Sequence, residues 1–178
     1  MTELEISKGL KTGDNKCRKE LYTLTSGKLL TIGYRYLNDR EVAEDILHDT
    51  FIQIFNSADK FVYRAEGSLI AWAKKVMVNK CLDYIRKNEK VDTVSIDNIS
   101  ETTEYFDENS EQIPPEVLLK LIGELPTGYR TVLNLFIFEG MSHREIAEKL
   151  GINEKSSSSQ FFRAKNLLAK KLNDYLKL

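Results

Sequence analysis

Residues 141–168 read MSHREIAEKLGINEKSSSSQFFRAKNLL, and this stretch decides the fold. Four consecutive serines in isolation suggest a flexible linker. Their flanks impose a helix instead. Ser142 with Glu145 three residues later is a capping-box signature, and Ile146, Ala147 and Leu150 supply the inner side of a short helix. Gly151 can take the left-handed conformation that ends it, Ile152 plugs the corner, and Asn153 caps a second helix. In that second helix Phe161, Ala164 and Leu168 keep helical spacing, so Ser156 to Ser159 occupy its first turns. The pattern predicts a helix-turn-helix, whose second helix enters a major groove. Serine suits that place because its hydroxyl both donates and accepts, and its shortness allows close approach to bases and phosphates.

Upstream the chain continues to read as helix. Residues 116–125 form one segment that stops at Pro126, and a second, with Tyr129, Val132, Leu133 and Phe136, stops near Gly140. Residues 91–115 are different: polar, acidic, without helical period, and closed by Pro114 and Pro115. On the far side, residues 15–37 place Tyr22, Leu29, Leu30, Gly33 and Leu37 on one face. Asn38 and Asp39 make a turn and an N-cap. The next helix carries a regular apolar stripe of Ala43, Ile46, Leu47, Thr50, Phe51, Ile54 and Phe55. A loop leads to a third helix, about 69–87, with Ile70, Ala73, Met77, Cys81 and Tyr84 on one side and Lys75, Asn79 and Arg86 on the other. The fold class expected is all-α: two small helical domains, 1–90 and 116–178, joined by an acidic flexible linker at 91–115, the second domain a helix-turn-helix.

Composition narrows the function. The chain has 178 residues, 42% hydrophobic and 30% charged, which is ordinary for a globular protein. A net charge of −1 argues on its face against a nucleic-acid partner. Its distribution argues the reverse. Residues 16–90 carry 14 Lys/Arg against 10 Asp/Glu, residues 117–178 carry 10 against six, and residues 91–116 hold eight acids and no base. No apolar run reaches membrane-spanning length and the first residues lack the apolar core of a signal peptide, so a cytoplasmic protein without membrane insertion is expected. Cys17 and Cys81 are isolated, which disfavours disulfides and structural zinc. With no Gly-rich phosphate loop, nucleophile-base pair or metal cluster, neither an enzyme nor a cofactor is expected.

AEDILHDTFIQIF and GSLIAWAKKVMVNKCLDYIRK in the first lobe, with LPTGYRTVLNLFIFEG and the helix-turn-helix in the second, resemble the extracytoplasmic-function group of RNA polymerase sigma factors from about residue 16 to 172. The resemblance implies that the first domain holds core RNA polymerase and opens the −10 element, that the second reads the −35 element, and that the connector threads through the polymerase. It also implies an anti-sigma factor as a further partner, beside double-stranded and melted promoter DNA.

Within this frame the residues divide into three groups. On the second helix Glu41, Asp45, His48 and Ile52, with Asp49 beside them, make an acidic, partly apolar ridge opposite the core stripe. Charges there usually mean a solvated face, yet Ile52 among them favours docking, and the resemblance assigns polymerase contacts to it. His48 between two aspartates could instead suggest metal or acid/base chemistry, but no second histidine or cysteine cluster supports that. On the third helix Lys74, Lys75, Lys80, Arg86 and Lys87 can neutralise phosphate, while Phe61, Tyr63 and Trp72 offer aromatic faces. A loop rimmed by Phe61, Ser68 and Asn79 could hold an extruded base, although Trp72 alone reads more simply as core. By resemblance Asn79 falls at the position of the flipped −10 base, with Asp83 and Arg86 at the helix end. In the second domain the resemblance makes Ser158, Ser159, Phe162 and Arg163 the DNA contacts, with Lys155 and Ser156 at the entering end; Arg163 and Lys165, further along the helix, could by their charge neutralise backbone phosphates.

Two departures stand out. Ser157 occupies a position the family usually fills with a buried aliphatic, and Ser158 one that is often basic, which predicts weak isolated −35 binding. The acidic connector, by composition a disordered linker, could by resemblance mimic a phosphate chain. An ordinary helix-turn-helix regulator with an effector-binding or dimerising first lobe is the competing reading, since it binds its operator without polymerase.

Overall fold

Thr2 opens the first helix, α1 (Glu3–Lys11), through a full capping box: its hydroxyl accepts from Glu5 N–H at 3.2 Å and its own N–H donates to the Glu5 carboxylate at 2.8 Å. The helix is short, nine residues. Its apolar content is sparse, but Ile6 and Leu10 are both buried against the next helix. The computed structural model describes residues 1–88 and 113–177, which fall into two units, Met1–Asn88 and Glu89–Leu178. Among the described residues there is no strand, as an all-α chain requires.

In the first unit α2 (Asn15–Leu37) starts at Asp14, whose side chain accepts from Lys16 N–H, and stops at Asn38, which adopts the left-handed conformation. Asp39 then caps α3 (Arg40–Asn56) by accepting from Val42 N–H at 3.0 Å. A 3-10 turn, Ala58–Lys60, and a loop lead to α4 (Ser68–Asn88). Helices α2, α3 and α4 pack pairwise around one core, and α1 lies against α2 and the 3-10 turn. The α3 stripe is buried as expected from Ala43 to Ile54, Phe55 being half-buried. Each fully buried Leu, Ile or Phe contributes about 1.5–3 kcal/mol, enough for burial to fix which way the helices face.

The inner face of α2 differs from the expected one. It runs Cys17, Leu21, Thr25, Leu29, Ile32, Gly33, Tyr36 and Leu37, leaving Tyr22 43% exposed and Leu30 half-buried. Thr25 can sit at 0% exposure because its hydroxyl donates to Leu21 C=O at 2.7 Å. Tyr22 still covers the core edge, its ring 4.8 Å from that of Phe51.

The second unit holds α5 (Pro115–Gly123), α6 (Thr127–Ile137), α7 (His143–Leu150) and α8 (Glu154–Leu176). Ile122, Leu125, Tyr129 and Leu133 meet Ala164, Leu168 and Leu172 of α8, with Ile113 packed alongside. Arg130 is buried, donating from Nη1 to Gly123 C=O at 2.7 Å and to Leu125 C=O at 3.1 Å, so it caps the carbonyl end of α5. Most of the connector expected at 91–115, including Asp107, Glu108 and Glu111, lies outside the described residues.

Candidate nucleic-acid interface

The helix-turn-helix is built by local chemistry. Ser142 and Glu145 form the reciprocal cap of α7: the Ser142 hydroxyl accepts from Glu145 N–H at 3.2 Å, and the Ser142 N–H at 2.8 Å and hydroxyl at 2.9 Å donate to the Glu145 carboxylate, holding it below its ordinary value of 4.5. Gly151 ends α7 at φ 67°, a conformation costly for any residue with a Cβ, and Ile152 N–H returns to Ala147 C=O at 3.1 Å. Asn153 then accepts from Ser156 N–H at 2.7 Å to start α8. Cap, turn and second cap therefore fix the angle between α7 and the start of α8 before any long-range packing is counted.

On α8 the serine run splits by face. Ser157 is 0% exposed, and its hydroxyl lies 2.9 Å from His143 Nδ1. The His143 ring stacks on Phe136, centroids 4.7 Å apart, and Phe136 meets Phe161 at 4.3 Å. Three rings and one hydroxyl thus fill the junction of α6, α7 and α8. Sequence spacing places Ser157 inward but does not pair it with His143, and no signal in the sequence identifies that partner.

Lys155, Ser158, Ser159, Phe162 and Lys165 are exposed, and Ser158 and Ser159 each lie three or four residues from Lys155 and from Phe162, so the five share the outer side of α8. Ser156 and Arg163 lie half-exposed along its edge. Phe162 presents a ring that is 46% exposed among hydroxyls and cations, an arrangement a solvated helix does not need. The Lys165 ammonium lies 5.4 Å from the Phe161 centroid.

In the first unit Ser68, Trp72, Lys75, Asn79 and Arg86 recur along one face of α4, with Lys87 beside Arg86. Lys75, Arg86 and Lys87 are exposed, Asn79 is half-buried, and Arg86 pairs with Asp83 at 3.1 Å. Phe61 departs from expectation. It is 7% exposed with its ring 5.0 Å from Trp72, so both rings brace the loop and Phe61 offers no open stacking face. Burial prevailed because a phenyl ring at the end of the 3-10 turn gains more from the core than from water. The loop presents half-buried Tyr63 and exposed Val62 instead. Ser68 is likewise engaged, its hydroxyl donating to Ala65 C=O at 2.6 Å.

Along α3, Glu41, Asp45, His48, Asp49 and Ile52 are all exposed, Ile52 at 57%. Beside them an open depression of about 520 Å³ is lined by Asp49, Ile52, Gln53, Asn56, Ser57, Lys60 and Lys80. No group of three or more His, Cys, Asp or Glu among the described residues is placed to hold a metal ion. No described helix is long and apolar enough to cross a membrane.

Comparison with known proteins matches both units. Residues 21–91 match Sigma-70 region 2, and residues 116–168 match Sigma-70, region 4. The chain is 30% identical over 145 residues to the ECF RNA polymerase sigma factor SigM of Bacillus subtilis, covering 76% of this chain and 85% of that protein. It is 29% identical over 180 residues to SigW of the same organism, covering 94% and 95%. Among solved structures, the sigma factor RpoE in complex with the anti-sigma factor NepR from Bartonella quintana aligns at a TM-score of 0.53 and 20% identity, over 87% of this chain and 96% of that one. CnrH in complex with the cytosolic domain of CnrY aligns at 0.52 and 21%, over 95% and 96%. These two likenesses concern the fold.

Proposed function

The chain belongs to the extracytoplasmic-function group of RNA polymerase sigma factors, alternative sigma factors that direct RNA polymerase to promoters, and from that premise we propose how its surfaces share the work. Residues 116–178 read the −35 element through the outer face of α8. Ser158, Ser159, Phe162 and Arg163 reach base edges and backbone, Lys155 and Ser156 sit at the entering end, and Lys165 neutralises phosphate. Residues 1–90 hold core polymerase along the α3 ridge and open the −10 element along α4. There Lys75, Arg86 and Lys87 follow the phosphates while Trp72, Ser68 and Asn79 border the place where a base leaves the stack. Phe61 contributes from behind, by holding Trp72. Residues 91–115 join the two.

The observation that supports this reading most directly is the split serine run: Ser157 is buried as a core residue, and Ser158, Ser159 and Phe162 face outward on a capped recognition helix. The protein acts in the cytoplasm, as a binding factor rather than an enzyme. An anti-sigma factor is its expected regulator, a proposal supported by the likeness of its fold to RpoE, which was solved in complex with the anti-sigma factor NepR.

Reconstitution with core polymerase tests the reading. Added to core enzyme and genomic DNA, the chain should give specific initiation at a small set of start sites, and the chain alone should bind those promoters weakly. Tight binding to an operator without polymerase, together with no specific initiation, would favour the ordinary regulator.

A further inference from the structure

We propose that Glu3 is a positioning residue for promoter opening, holding the loop before α4 in the shape that receives the displaced −10 base; the inference rests on the assignment of α4 to the −10 element. Helix α4 begins at Ser68, directly after Gly67, which has φ 88° and no side chain with which to cap the helix. The missing acceptor comes from 64 residues away. One carboxylate oxygen of Glu3, Oε2, accepts from Gly67 N–H at 2.9 Å and from Leu69 N–H at 3.2 Å. A carboxylate against the first turn satisfies two orphan donors and opposes the positive end of the helix dipole.

The reach of that carboxylate is fixed from behind. Ile6, Ser7 and Leu10 are buried, and at Gly9 an added Cβ would lie 2.2 Å from Cys17 Sγ, so α1 and α2 cross too closely for α1 to slide. The same helix also packs on the 3-10 turn at Ala58–Lys60. Helix α1 therefore grips the loop at both ends, by packing at 58–60 and by hydrogen bonds at 67 and 69. Between those grips lie Phe61, Val62 and Tyr63, and directly after them runs α4, which carries Trp72 and Asn79. Without the Glu3 acceptor, Gly67 regains its freedom of rotation and the loop samples shapes that do not fit a base.

The test uses holoenzyme on a duplex promoter identified by sequencing polymerase-bound DNA, with opening followed by 2-aminopurine fluorescence in the −10 element. Glu3→Ala is expected to slow opening about tenfold, the scale of losing two charge-assisted hydrogen bonds, one to the exposed Gly67 N–H and one to the part-buried Leu69 N–H. Glu3→Gln, which keeps an acceptor without the charge, should fall between. Both should keep wild-type affinity for core polymerase, and both should narrow the preference for an intact over an abasic nucleotide in the −10 element, as is expected of Asn79→Ala. If Asn79→Ala slows opening and the Glu3 variants do not, the inference fails while the −10 assignment stands. If Asn79→Ala is also without effect, the −10 assignment itself fails. Equal losses of core affinity and opening in both Glu3 variants overturn the inference too, since they would make Glu3 a general support of the fold.

Discussion

At position 157 a serine sits fully buried where α8 turns its inner face to α6 and α7, and it keeps its place by bonding to His143. Burying a hydroxyl without a partner costs about 1–3 kcal/mol, so the pair is tolerated only as a pair. Ser157→Ala should therefore lower unfolding stability by about 1–2 kcal/mol, because it orphans the imidazole nitrogen. In the double variant with His143→Ala the two losses should fall short of additivity by about 1 kcal/mol, measured in a denaturant-melting cycle. Additive losses would mean that the ring stack with Phe136 and Phe161, and not the hydrogen bond, holds the junction. The inward placement of Ser157 is legible from its spacing to Phe161 and Ala164. Its partner is not, because nothing in a one-dimensional pattern says which imidazole a buried hydroxyl will find. Phe61 shows the converse limit: an aromatic in a loop can brace or be presented, and only the position of Trp72 decides between them.

Helices are legible where caps and apolar spacing agree, as in α3, α7 and α8, and obscured where a polar residue lines the core. Thr25 of α2 satisfies its hydroxyl within its own helix, so counting apolar residues alone turns the expected face towards Tyr22. Helix α1 buries only two apolar residues in nine, Ile6 and Leu10, and its start is written in the Thr2–Glu5 cap. The matching cap of α7 has a pH signature. The Glu145 carboxyl is held below 4.5 by its bonds to Ser142, so its contribution is fully present above that value and fades as pH falls through the lower folded-state value. Wild type should thus exceed Glu145→Gln in stability at neutral pH, with the gap closing below pH 4.5; a gap that widened on acidification would contradict the cap. The outer face of α8 supports a separate prediction. An exposed Phe162 among serines is suited to touching a thymine methyl. Replacing one −35 thymine by uracil should weaken wild-type holoenzyme binding about fourfold, from about 0.8 kcal/mol per buried methyl group, and leave Phe162→Ser indifferent. If no thymine-to-uracil change in the element matters to wild type, Phe162 reads no methyl.

For the molecule as a whole the sequence shows what the described helices cannot: a formal charge of −1 that separates into two basic portions and an acidic one between them. The helical portions have a surplus of Lys/Arg, as phosphate-binding modules need, and the eight acids of residues 91–116 stand against no base. Such a segment in a cationic channel competes with nucleic acid for the same charges, and the competition weakens as salt screens it over roughly 8–10 Å. Since most of the connector, Asp107, Glu108 and Glu111 included, lies outside the described residues, charge alone supports the competition. Changing Asp107 to Asn and Glu108 and Glu111 to Gln should shift the ratio of abortive to full-length transcripts from a reconstituted holoenzyme, with the shift shrinking as salt is raised. The same ratio for variant and wild type at low salt would mean that the carboxylates do not compete with RNA, and that the connector acts only as a tether whose length, not charge, matters to initiation.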